Sequence, residues 1–245
     1  IRYALNIGRQ ASASPAQREH ADEVIVRQIE QMARLLDDLL DVSRIARGQV
    51  TLRRKWVDVT SVVGAAIDTA RPLIDVKGHR LSIDLPREAL RLNADPVRLT
   101  QILSNLLTNA AKYTDRGGEI HLGVWREGDE VVFSVRDNGI GIAPELAPRL
   151  FTLFAQASPA LQRSEGGLGV GLALVKGFVE MHGGSVAAVS EGPRQGSQFI
   201  VRLPVGQKPR EEGADAPGAP QAKRSLRVLV ADDNVDIAET CATLL

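Results

Sequence analysis

Between positions 16 and 47 the large apolar residues step by four, three, four and three: Ile25, Ile29, Met32, Leu36 and Leu39. That spacing gives one helix a stripe that meets a second helix. Ser43 and Ala46 continue the register with small side chains, and Gly48, after Arg44 and Arg47, marks the helix end. Residues 1–11 read as the tail of an earlier helix, and Ser12, Ser14 and Pro15 would turn the chain, so the pattern predicts a helical hairpin over 1–50. On pattern alone such a stripe is core packing more often than a dimer seam.

Beyond Val57 the period changes. A helix is predicted over 61–71, and alternating strands over 81–85 and 90–92. Asp95-Pro96 is a helix start, a capping carboxylate followed by proline at the first helical position, and the helix should run to Tyr113. Alternation returns over 119–125 and 131–137 around the turn Glu127-Gly128-Asp129. Residues 138–167 are rich in Gly, Pro and Ser and show no long period. A helix resumes near Leu172 and ends at Gly183-Gly184, and strands close the set at 185–190 and 198–203. The fold class is therefore α+β: the hairpin, then over 57–205 an α/β sandwich with a mostly antiparallel sheet covered on one face. Residues 206–225 hold three prolines, three glycines and no large apolar residue up to Arg224, which reads as a linker. After it, 226–231 is a short apolar strand that meets Asp232-Asp233, the start of a further domain over 226–245.

Composition narrows the picture. The 245 residues are 44% apolar and 24% charged, as in ordinary globular chains. Thirty basic and thirty acidic residues cancel, so there is no basic field to suggest a nucleic-acid partner. A single cysteine, Cys241, excludes an internal disulfide and fits a reducing, cytoplasmic setting. No apolar run approaches the roughly 20 residues that span a bilayer. The chain starts at Ile1 and stops in an apolar stretch, so it reads as a piece of a longer protein, with any membrane contact made by segments outside it.

Three clusters carry chemistry. On the helix after Asp95, Asn105, Asn109 and Lys112 share a face; an amide oxygen suits a hard cation such as Mg²⁺, and a lysine suits a phosphate. The alternative is a polar face in water, although two mid-helix asparagines lower helix propensity. Directly after a strand, Asp137-Asn138-Gly139-Ile140-Gly141 offers a carboxylate that can accept from an exocyclic amine and glycines that let a ligand approach; read alone it is an ordinary turn. Gly166-Gly167-Leu168-Gly169-Val170-Gly171-Leu172 opens a helix, where backbone N–H groups cradle anions. It lacks the dinucleotide fingerprint, because no strand precedes it and its spacing is G-x-G-x-G.

In this order and spacing, and with Gly196-Ser197-Gln198-Phe199 after them, the clusters resemble the N, G1, G2 and G3 boxes of bacterial sensor histidine kinases, with their GHKL-type ATP-binding domain. Leu150-Phe151-Thr152-Leu153-Phe154 is similar to the F box. The segment from Leu35 to Ser43 resembles the second helix of the family's dimerization domain, and 226–245 resembles the first strand and acidic pair of a flavodoxin-like receiver, as in a hybrid kinase. The resemblance implies ATP and Mg²⁺ as ligands. Asn109 would hold Mg²⁺ with Asn105 in support, Lys112 the phosphates and Tyr113 the nucleoside. Asp137 would take the adenine amino group, above a floor shaped by Gly139, Gly141 and Ile142. Residues 143–166 would form a mobile lid anchored by Phe151 and Phe154. Gly167, Leu168, Gly169, Val170, Gly171 and Leu172 would close over the phosphates, and Asp232 and Asp233 would belong to the receiver's Mg²⁺ pocket. The implied partners are a second copy, paired through the hairpin into a four-helix bundle, and a receiver domain or response regulator.

The family's phosphate-accepting histidine stands in a His-Glu-Leu-Arg-like box, and none of the four histidines here does. His20 reads as solvated surface, His79 and His121 have no partner motif, and His182 at a helix end suits a structural cation. The expectation is thus a kinase core that binds ATP and does not phosphorylate itself. The rival functions are another GHKL-type ATPase, which would carry a glutamate where Asn105 stands, and a degenerate kinase serving as scaffold or phosphatase partner.

Overall fold

A computed structural model describes residues 14–155 and 169–206, all within one unit, Ile1–Gln207; the second unit, Lys208–Leu245, lies outside the described residues. The expected first hairpin helix, the linker and the receiver start fall outside them too.

Helix α1 spans Pro15–Ala46. Ser14 caps it: its hydroxyl accepts from the Gln17 N–H while the Gln17 side chain accepts from the Ser14 N–H. Strand β1, Lys55–Asp58, pairs antiparallel with β3, Arg91–Ala94, as a separate two-stranded sheet. Helix α2, Val59–Lys77, runs past the predicted end at Arg71. Pro72 removes one backbone donor, but Ala70 and Ile74 on either side of it are buried, so packing carries the helix through. Strand β2 is Arg80–Asp84 and helix α3 is Pro96–Tyr113, capped by Asp95 as the sequence predicts.

The main sheet has the order β2-β4-β5-β7-β6, where β4 is Glu119–Glu127, β5 Glu130–Asp137, β6 Ser185–Val189 and β7 Ser197–Pro204. Only the β2–β4 pair is parallel. Helix α4, Gly171–Met181, completes the helical layer with α2 and α3. The core lies between this layer and one sheet face, around Leu99, Leu103, Leu106, Ile120, Phe133, Leu174 and Phe178. This arrangement is the α+β sandwich expected from the sequence. Among the described residues no helix is long and apolar enough to cross a membrane.

Two expectations change. The apolar stripe of α1 does not face one way. Leu39, Val42 and Ile45 pack on the core of the sandwich, whereas Val26, Ile29, Met32, Leu36 and Leu40 stay exposed on a neighbouring face. Leu39, assigned to the seam by spacing, thus belongs to the intramolecular contact. His182 is the second. It is buried, its Nδ1–H donates to the Phe178 carbonyl at 2.7 Å, and its Nε2 accepts from the Asp95 N–H at 3.0 Å. A backbone donor facing Nε2 fixes the neutral tautomer, and burial pushes the pKa below its ordinary value. It ties the end of α4 to the start of α3 as a neutral group and does not serve as the cation expected at a helix terminus.

Candidate functional site

Asp137 ends β5, buried, opposite Ser197 on β7. Its Oδ1 accepts from the Gly139 N–H at 2.9 Å and its Oδ2 from the Ser197 hydroxyl at 2.5 Å. A carboxylate has room for about four acceptor contacts, so acceptor capacity remains. The turn that follows is clasped from two sides. Tyr113 accepts from the Ile140 N–H at 3.0 Å, and the loop before β7 donates from Arg194 to Ile140 and from Gly196 to Gly139. A Cβ on Gly139 would overlap the Tyr113 carbonyl oxygen, and Gly141 has a positive φ of 69° against the Gly192 carbonyl. Both positions therefore require glycine.

A cleft of about 70 Å³ opens here, lined by Asp137, Asn109, Tyr113, Ile142, Leu172 and Phe199 among others. A second, of about 150 Å³, adjoins it and is lined by Asn109, Lys112, Tyr113, Gly169, Val170, Gly171 and Leu172. Asn109, Tyr113 and Leu172 border both, so the carboxylate end and the lysine end lie side by side. Lys112 Nζ lies 4.9 Å from the centre of the Tyr113 ring. Helix α4 has no side-chain cap, whereas Ser14, Asp58 and Asp95 cap the other helices. Among the described residues no side chain caps its first N–H groups, which lie at the lysine end.

Other sequence candidates stand as follows. Asn105 sits one turn below Asn109 under Gly171 and is not among the lining of either cleft; its Nδ2 is buried and has no partner among the described residues. Phe151 packs edge-on against Phe199 with ring centres 6.4 Å apart. The Phe154 ring is 61% exposed, and the Phe154 backbone N–H donates to the Gly169 carbonyl at 3.1 Å. Gly167 and Leu168 lie outside the described residues, as do Asp232 and Asp233. Sequence reasoning missed three residues. Ser197 stood inside the last glycine box, where its hydroxyl was legible but its carboxylate partner was not. Leu35 and Asp38 reach the lysine-end cleft from α1, a contact no local spacing signals.

Among the described residues no cluster of three or more His, Cys, Asp or Glu side chains could hold a metal. A hard cation at this site would need oxygen from the ligand itself, beside the Asn109 amide.

An antiparallel-rich sheet under three helices, with a carboxylate-glycine turn facing an amide-bearing helix, defines a nucleotide-binding α+β domain. Residues 94–207 match the family described as histidine kinase-, DNA gyrase B-, and HSP90-like ATPase, so this segment is similar to that family's domain. The chain is 38% identical over 177 residues to the circadian input-output histidine kinase CikA of Synechococcus elongatus, covering 71% of this chain and 23% of CikA. It is 32% identical over 207 residues to the alginate biosynthesis sensor protein KinB of Pseudomonas aeruginosa, covering 84% of this chain and 34% of KinB. The crystal structure of full-length ShkA in complex with AMPPNP has a TM-score of 0.67 and 27% identity, over 80% of this chain and 40% of that one. The chain thus spans about a quarter to a third of the length of these curated relatives.

Proposed function

We propose that this chain is the ATP-handling part of a sensor histidine kinase. It presents the γ-phosphate of ATP to a histidine outside these 245 residues, and the phosphate passes on to an aspartate of a receiver domain or response regulator. One observation carries the reading: the Asp137 carboxylate and the Asn109 amide line the same cleft. The remaining acceptor capacity of Asp137 suits an adenine amino group, and Tyr113, Ile142 and Phe199 give the purine apolar walls. Lys112 and the uncapped start of α4 suit the phosphates. Mg²⁺, held by the Asn109 carbonyl oxygen and by phosphate oxygens, would neutralise charge on the triphosphate. The protein's own contribution is position and electrostatics, since transfer to a nitrogen nucleophile in line with the leaving oxygen asks little covalent chemistry of it.

The exposed stripe Val26, Ile29, Met32, Leu36 and Leu40 suits the hairpin of a second copy. A receiver domain beginning at Leu226 would carry Asp232 and Asp233 in its Mg²⁺ pocket. The single cysteine fits a cytoplasmic setting.

Mixing the chain with a histidine-bearing dimerization hairpin and γ-labelled ATP tests this reading. Acid-labile label on the hairpin is expected, and none on the chain alone. Steady phosphate release with no phosphoprotein would contradict it.

A further inference from the structure

The largest of the cavities described here lies away from the nucleotide cleft. It measures about 710 Å³ and sits where the end of α1, the segment leading into β1, and the start of α3 meet. Four cations line it: Arg44 from α1, Arg53 from the connection, Lys55 from β1 and Arg98 from α3. Arg98 is already paired with Asp41. Arg44, Arg53 and Lys55 have no ion pair among the described residues. The one carboxylate in the wall, Asp95, is already engaged by backbone donors: Oδ1 accepts from the Val97 and Arg98 N–H groups and Oδ2 from the Arg53 N–H. Three like charges drawn from three successive segments around one concavity repel one another, and a cleft focuses their field. An anion in the cavity would reverse the sign of that energy.

We infer that this cavity is a binding site for a small polyphosphate anion, separate from the nucleotide cleft. Its volume falls within the range of roughly 300–1,000 Å³ that small ligands occupy, and its concavity suits a molecule enclosed by side chains more than a protein face. Two guanidinium forks match phosphate oxygens in pairs, and an ammonium adds a point charge. Exposed Val97 and half-buried Pro96 in the lining offer apolar surface to the rest of the ligand.

The test uses the full chain carrying Lys112→Ala, which removes the cation of the nucleotide cleft, titrated calorimetrically with inorganic tripolyphosphate at low salt. One-to-one binding is expected, weakened at least tenfold when Arg53→Glu and Lys55→Glu are added, and weakened to a smaller degree by Arg53→Gln with Lys55→Gln. Both side chains are exposed, so the fold should tolerate the changes, which a thermal unfolding curve checks. No binding before the charge reversals, or equal binding after them, would overturn the inference. A parallel titration with AMPPNP separates free from nucleoside-borne phosphate. Charge-dependent loss with both probes supports phosphate recognition, whereas binding of AMPPNP alone would overturn the polyphosphate assignment. The outcome does not depend on Asp137, so failure here leaves the nucleotide reading standing.

Discussion

The Asp41 carboxylate holds the Arg98 guanidinium through two hydrogen bonds of 2.6 and 3.1 Å, and so fastens α1 to the first turn of α3. The pair is mostly shielded, with 24% of the Arg98 side chain and 9% of Asp41 exposed. The same guanidinium carbon lies 4.7 Å from the centre of the Phe178 ring on α4, and Ile45 one turn along packs against Gly177. One arginine thereby joins the long helix, α3 and α4.

Removing that arginine should loosen the joint. Arg98→Ala is expected to cost about 1.5–3 kcal/mol, the usual cost of losing hydrogen bonds to a charged, shielded partner. A double-mutant cycle with Asp41→Ala in urea should show coupling of about 1 kcal/mol or more. Additive effects would show that the two residues do not share an interaction.

Acid sensitivity follows from His182. Its folded pKa lies below the unfolded value near 6.5 because burial disfavours the imidazolium. Above about pH 6.5 both states are neutral and its contribution is fully present. As pH falls below that value the unfolded chain takes up a proton before the folded chain does, so stability drops. Chemical denaturation at several pH values should show a steeper loss below pH about 6.5 for the parent chain than for His182→Gln. Equal slopes would contradict the neutral assignment.

Much of this fold could be read from local pattern. Asp95-Pro96 marks α3 because cap and proline act within one turn, and the paired strands β4 and β5 show because their inward faces alternate. Strand β1 was not legible: four residues, Lys55–Asp58, are too short for alternation to register. Helix α2 runs past Arg71 through Pro72, a local stop signal, because the burial of Ile74, a tertiary fact, overrides it. In the site, the glycine boxes and Asp137 were legible as motifs. The Ser197 partner of Asp137, the neutrality of His182 and the approach of Asp38 from α1 were not, because each depends on a contact between residues far apart in the chain.

Gly139 should tolerate no side chain. Gly139→Ala would drive a methyl into the Tyr113 carbonyl and disturb the N–H that Asp137 accepts. A loss of nucleotide affinity of at least tenfold is expected, read by calorimetry. An unchanged affinity would mean that the turn moves freely away from α3.

Ser197 should act through the carboxylate it holds. Ser197→Ala removes the 2.5 Å hydrogen bond to Asp137 Oδ2, a loss of about 1 kcal/mol or slightly more, and so a several-fold weaker nucleotide complex. Ser197→Thr keeps the hydroxyl and should recover most of the affinity. Equal affinity in the alanine variant would separate Ser197 from the site.

The central claim is that one purine triphosphate spans from Asp137 to Asn109 and Lys112. Calorimetric titration of the chain with AMPPNP and Mg²⁺, beside Asp137→Ala and Asp137→Asn, tests it most directly. The expected result is one site per chain, weakened at least a hundredfold in the alanine variant while the far-ultraviolet spectrum stays unchanged. Parent-like affinity in both folded variants would contradict it.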